Sequence, residues 1–237
     1  MAFSPNGQLL ASGSEDKLLK LWHLNDEKGE AFKTLAGHNE WLKSVIFSPN
    51  GQFLASGSED KCVMIWNMND LAQRPKVLQH QRRIISLTFS HDSQFLASAS
   101  NGDRTIKIWD TANWQCRCTL ETSKQIFSVA FSPDDEILVS GGENSIMIWD
   151  MRHHQCLHSL FGKNHNIFSV AFNPDGQTIA SSGDEGIIEI WEVKTGQCIK
   201  RLFTRKPYDN MNINGVKGLT AVQKTSLKML GAVEEGK

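Results

Sequence analysis

The chain lacks an excess of either charge: 25 Lys and Arg stand against 26 Asp and Glu, a formal net charge of −1 in 237 residues. Proteins that track phosphates concentrate Lys and Arg, so nucleic acid is not an expected partner. No apolar run approaches the roughly 18 residues of a membrane-spanning helix, so no membrane partner is expected. Met1-Ala2-Phe3-Ser4-Pro5 has neither the basic start nor the apolar stretch of a secretory signal, and a cytoplasmic location is expected. Cysteines are few. Cys62, Cys116, Cys118, Cys156 and Cys198 are expected to be reduced thiols. There is no GxxxxGK[ST] loop and no kinase signature, and no cofactor is expected.

What the chain has is repetition. Trp22, Trp66, Trp109, Trp149 and Trp191 each close an apolar run, at intervals of 44, 43, 40 and 42 residues. Phe3, Phe47, Phe89, Phe131 and Phe172 each precede a turn, at intervals of 44, 42, 42 and 41. A fixed period of about 40–45 residues signals a propeller or array in which each repeat is one supersecondary unit. The repeat from Gly37 to Asn67 shows the local chemistry. Leu42–Phe47 alternates as a strand. Ser48-Pro49-Asn50-Gly51 is a turn, with Pro presetting φ and Asn-Gly tolerating positive φ. Phe53–Gly57 and Cys62–Trp66 are further strands, and Pro75–Leu78 is an outer one. The third strands (Val63-Met64-Ile65, Ile146-Met147-Ile148) are apolar at nearly every position, the signature of a sheet covered on both faces. Small residues in the second strands, Ala11 and Gly13, Ala55 and Gly57, Ala97 and Ala99, let covering sheets approach closely.

On these features the chain resembles the WD-repeat β-propeller family over residues 1–203. The resemblance implies an all-β fold of four-stranded blades around a central channel. Five blades are expected, the first incomplete, forming an open arc of a larger ring rather than a closed one. Open ends leave apolar blade faces uncovered, a route to self-association. The resemblance also implies a hydrogen-bonded tetrad in each blade: His38, Ser56, Asp60 and Trp66 in one, His80, Ser98, Asp103 and Trp109 in the next. Buried polar groups need partners, and the carboxylate fixes the His tautomer. Thr122 and Lys163 replace the His in later blades, and Glu143 and Glu185 the Asp, so packing is expected to hold those loops. Residues 204–237 are expected to be a connector and a short helix, with Thr220 as N-cap, Gln223 completing a capping box and Gly231 as C′ residue. Leu219, Val222, Leu227 and Leu230 are expected to line one helix face. The tail KPYDNMNINGVKGLTAVQKTSLKMLGAVE is similar to the C-terminal extension of large cyanobacterial WD-repeat proteins, many of which carry an N-terminal nucleotide-binding or kinase module.

No catalytic residue is expected. The Ser, His and Asp of the tetrads mimic a hydrolase triad, but they repeat in two blades and Trp accounts for their bonds. Arg152-His153-His154-Gln155-Cys156-Leu157-His158 offers four zinc-type ligands. Cys156, however, follows Trp149 by seven residues, as Cys116 follows Trp109 and Cys198 follows Trp191, so it holds an ordinary outer-strand position and no metal is expected. What remains is the top rim. In the family, ligands lie across loops entering the innermost strands; the matching residues here are Trp41, Lys43, Arg83, Ile85, Phe127 and Phe168. Trp and Arg are enriched at binding hot spots. The expected function is a protein–protein interaction scaffold holding a protein or peptide on this rim. The alternative is a sensor or regulatory fragment of a signalling NTPase or kinase.

Overall fold

A computed structural model describes residues 1–26, 29–163, 165–203, 211–214, 216, 218–230 and 232–234. Among them, strands β1–β20 form five four-stranded blades, each ordered along the chain. Blade 1 is β1 (Ala2–Phe3), β2 (Leu9–Gly13), β3 (Leu18–His23) and β4 (Ala31–Ala36). Blade 2 is β5 (Leu42–Phe47), β6 (Phe53–Ser58), β7 (Cys62–Asn67) and β8 (Lys76–Gln79). Blade 3 is β9 (Ile84–Phe89), β10 (Phe95–Ser100), β11 (Thr105–Asp110) and β12 (Cys116–Glu121). Blade 4 is β13 (Ile126–Phe131), β14 (Ile137–Gly142), β15 (Ile146–Asp150) and β16 (Gln155–Leu160). Blade 5 is β17 (Ile167–Phe172), β18 (Thr178–Gly183), β19 (Ile187–Glu192) and β20 (Cys198–Phe203). Contacts divide the chain into Met1–Arg201 and Leu202–Lys237.

The core lies between blades, in four seams of one composition. The seam of blades 2 and 3 joins Ala55, Val63, Ile65 and Leu78 to Ile84, Leu87, Phe89, Leu96 and Trp109. The others repeat this list position by position: Leu19 and Leu21 meet Trp66, Ile106 and Ile108 meet Trp149, and Ile146 and Ile148 meet Trp191. Each seam therefore takes the third-strand aliphatics of one blade and the Trp of the next. Glycine sets the spacing: a Cβ on Gly57 would stand 2.6 Å from Ile84 Cγ2, and one on Gly141 2.7 Å from Ile167 Cγ2.

Hydrogen bonds reinforce the seams in two places. In the innermost strands, Ser44, Ser86 and Ser128 accept the backbone N–H of Leu87, Val129 and Val170 in the following blade, each at 3.2 Å. The turns after these strands supply the second set. Their fourth position has positive φ in Gly7, Gly51 and Gly176, but Ser93 (63°) and Asp135 (60°) adopt it without being glycine. Both use their side chains to hold the preceding blade's turn. Ser93 Oγ accepts the Asn50 N–H at 3.0 Å, and the Asp135 carboxylate accepts those of His91 (2.7 Å) and Asp92 (2.9 Å).

The series of blades does not close. β6, β10 and β14 are buried at every position but the first, whereas the matching strands of the end blades, β2 and β18, hold only one and two buried residues. Loss of burial at alternate positions marks a sheet covered on one face only.

In the second unit, α1 (Ala221–Met229) is capped by Thr220, with Gln223 returning the bond as the sequence predicts. The Lys224 and Lys228 ammonium groups flank Glu234 at 2.8 and 2.7 Å. The face expected of Leu219, Val222, Leu227 and Leu230 is uncovered here: α1 has no buried residue, and Val222 is 76% exposed. Gly231 lies outside the described residues.

Candidate functional site

In blade 2 the tetrad is a closed relay. The Trp66 indole N–H donates to Ser56 Oγ at 3.0 Å, His38 Nε2 lies 2.8 Å from that oxygen, and His38 Nδ1 lies 2.8 Å from Asp60 Oδ2. With Nδ1 as the donor to the carboxylate, Nε2 accepts the serine hydroxyl, and every polar atom has a partner. Burial works against the Asp60 charge. The Asn39 N–H, the His38 ring and the Cys62 N–H outweigh it, so the carboxyl sits below its ordinary value.

Blade 3 departs from the expected equality. Trp109 Nε1 and His80 Nε2 both meet Ser98 Oγ at 2.7 Å, but His80 Nδ1 lies 3.8 Å from Asp103 and is buried without a hydrogen-bond partner. The cause is one extra residue. Asp103 follows Ser98 by five positions, where Asp60 follows Ser56 by four, and its carboxylate turns to Thr105 Oγ1 and the Gln81 N–H. Burial, then the nearby Lys107 charge, push the His80 ring down to about 4, against the pull of Asp103. An unfolded histidine binds its proton near 6.5, so the unfolded chain holds more protons through that interval. Stability is therefore expected to fall as pH drops from about 6.5 to about 4, and to be insensitive to this group above 6.5. The His80 ring protons followed by NMR check this; a midpoint at 6.5 would contradict it.

Blades 4 and 5 keep only the indole bond, Trp149 to Ser140 at 3.0 Å and Trp191 to Ser181 at 2.9 Å. The Thr122 hydroxyl is taken by the Arg104 and Lys124 carbonyls. Where the sequence reading expects a weaker network, with the loops held mainly by packing, blade 5 carries a buried polar link of its own. Glu189, 0% exposed, accepts the Lys163 N–H at 3.1 Å and the Arg201 Nε–H at 2.9 Å. Gly162 makes room, since a Cβ there would collide with the Glu189 carboxylate. Glu185 pairs with exposed His165 at 3.0 Å. The signal for Glu189 was its place two residues before Trp191, where the other blades carry Lys20, Met64, Lys107 and Met147.

The rim residues fall into two groups. Trp41 is 40% exposed and Lys43 Nζ lies 4.8 Å from its ring centroid. Glu59, not foreseen from sequence, joins Lys43 (3.2 Å) to Arg83 of the next blade (3.9 Å), and Arg83 also donates to Asn101 Oδ1. Phe127 and Phe168 form a tilted pair with centroids 5.6 Å apart, and Phe168 is 55% exposed. Ile85 is partly buried and packs against the seam of blades 3 and 4. The rim thus presents a charged patch with an indole on blades 2 and 3, and an aromatic pair on blades 4 and 5.

The other ligand-rich stretches lie on the outer edge of blade 4 and in the loops beside β17, next to Phe168. His153, in the turn before β16, has its Nδ1 2.8 Å from Asp150, and Cys156, in the outer strand, faces the His158 carbonyl with its Sγ. His165, Asp184 and Glu185 bring ligand atoms within 4.8 Å of one another, all exposed. Asp184 is already engaged by the His165 and Asn166 N–H groups.

The family model for the WD domain, G-beta repeat, matches residues 1–23, 29–67, 73–110, 114–150 and 154–192, one match per blade. Curated relatives include the DENN domain and WD repeat-containing protein SCD1 of Arabidopsis thaliana, 30% identical over 79% of this chain and 15% of that protein. The transcriptional corepressor LEUNIG_HOMOLOG of the same plant is 29% identical over 83% of this chain and 25% of its own length. The protein transport protein sec13 of Emericella nidulans is 32% identical over 58% of this chain and 34% of its own. The chain spans 15–34% of these relatives' length.

Proposed function

This chain belongs to the WD domain, G-beta repeat family, and from that membership we propose that it is a non-catalytic scaffold whose top rim holds a protein or peptide. The observation that carries the reading is the contrast between the two sets of polar residues. The tetrad serines Ser56 and Ser98 are 0% exposed and each is bound to its own blade's His and Trp, so they meet no substrate. Trp41, Arg83 and Phe168 reach solvent on blades that the seams hold rigid. An indole beside Arg and Lys suits a peptide with an apolar anchor and an acidic flank. Five free thiols suit a reducing, cytoplasmic setting.

Trp41→Ala combined with Arg83→Glu is expected to weaken partner capture by at least about 30-fold, the effect of losing a hot spot of about 2 kcal/mol. Pull-down with mass spectrometry checks this; identical partners from the variant and the unaltered chain would remove the rim from consideration. The second reading, a regulatory portion of a signalling NTPase or kinase, draws on the likeness of the tail to the extension of large WD-repeat proteins.

A further inference from the structure

One position of the repeat governs how the cleft between neighbouring blades is closed at the end opposite the rim. It lies five residues after the seam Trp, in the loop before the outer strand, and is Leu71, Trp114, His154 and Gly196 in turn. Leu71 packs against the seam of blades 1 and 2. The Trp114 indole stands edge-on to Phe53 of blade 2, with ring centroids 5.0 Å apart, and joins that seam. Phe95 is the counterpart of Phe53 at the start of β10, but blade 4 supplies His154 where blade 3 supplies Trp114. In blade 5 even a Cβ at Gly196 would stand 2.7 Å from Leu160 Cδ2.

Where an imidazole replaces the indole, a cavity of about 390 Å³ stays open, within the roughly 300–1,000 Å³ of ligand sites. Phe95, Ile108, Phe131 and Met151 give it apolar walls, and Arg117 and His154 line it too. The Arg117 guanidinium lies 5.0 Å from the Phe95 ring centroid, so an aromatic ring entering here meets an aromatic partner and a cation together. His154 Nδ1 is buried with no hydrogen-bond partner among the described residues, so the chain itself leaves this position's polar need unmet. His154 and Trp114 share one backbone conformation, with φ of 56° and 59°, so an indole suits the place that His154 holds. A groove of about 310 Å³ between blades 1 and 2 carries Leu9 in place of Phe95 and no cation among its lining residues. Blades 3 and 4 each have a blade packed on either side, so the cavity belongs to the interior of the series.

We propose that this cavity is a docking site for a tryptophan side chain of a partner protein, which takes at blade 4 the place that Trp114 takes at blade 3. The site is built by the turns that follow the innermost strands, at the other end of the blades from Trp41 and Arg83. It therefore stands or falls separately from partner binding on the rim.

The test is an NMR titration of the full, isotope-labelled chain with N-acetyl-tryptophanamide. Saturable shifts are expected at the amides of Phe95, Arg117 and Met151. His154→Trp, which supplies the indole from within, is expected to abolish them and to melt no lower than the unaltered protein. Trp114→Ala is expected to open a second site, with new shifts at Phe53 and Ile65. Should that variant unfold, Trp114→His, the residue that blade 4 carries, replaces it. Absence of saturable shifts, their survival in His154→Trp, or an equal response to N-acetyl-leucinamide overturns the proposal. So does self-association of the unaltered chain that Trp41→Ala abolishes, which would make the occupant a second copy.

Discussion

Trp109→Ala is expected to destabilise the protein by about 3–5 kcal/mol, the cost of removing a large aromatic from a closed core. The indole is 6% exposed in the seam of blades 2 and 3, and its N–H holds Ser98 Oγ at 2.7 Å. Truncation opens a cavity against Ala55, Val63 and Ile65 and strands a serine already serving His80. The same change at Trp22 keeps the chemistry and changes the surroundings. That indole also donates to a serine, Ser12 at 2.8 Å, but its ring is only partly buried among the described residues. Trp22→Ala is expected to cost roughly 1–2 kcal/mol, since part of the ring is never removed from water. Urea denaturation of the two variants measures the difference. Equal losses would mean that blade stacking is not what stabilises these strands.

The second large effect concerns Glu189. A fully buried carboxylate is tolerated only with its charge compensated, and removing one partner of such a pair costs about 3–5 kcal/mol. Arg201 is 40% exposed, and the Lys163 N–H remains after its removal, so Arg201→Met is expected at the low end, about 3 kcal/mol. Adding Glu189→Gln removes the stranded charge while keeping an acceptor for Lys163. The double variant is expected to be more stable than Arg201→Met alone. If Arg201→Met melts with the unaltered protein, Glu189 is not held as described.

Much of the blade architecture was readable because it rests on local chemistry repeated five times. The Trp and Phe intervals, the Ser-Pro-Asn-Gly turn and the all-apolar third strands each have one physical solution, and the strands fall within a residue or two of expectation. The open arc was expected because Met1-Ala2-Phe3 is all there is of the first inner strand while blade 5 carries its own outer strand, so no strand is shared between the ends. Details set by a fraction of a turn were not legible. The extra residue before Asp103 moves a carboxylate about 1 Å, enough to break one hydrogen bond and leave His80 Nδ1 alone. Glu189 escaped notice because nothing near it in sequence neutralises it; Arg201 arrives from the neighbouring strand. The serine bonds between blades were hidden because Ser44 alternates correctly as a polar residue whether or not a neighbour's N–H meets it. On the rim, sequence singled out the residues singly, and only the fold shows Glu59 tying Lys43 to Arg83 and Phe127 meeting Phe168.

Hydrogen exchange of the seven indole N–H groups, read residue by residue by NMR, tests directly whether buried, serine-bound tryptophans between stacked blades hold this chain together. Trp66, Trp109, Trp149 and Trp191, all 6% exposed or less, should exchange only when blades part and show the strongest protection, with Trp22 intermediate and Trp41 fast. Exchange of those four at the rate of Trp41 would contradict the account.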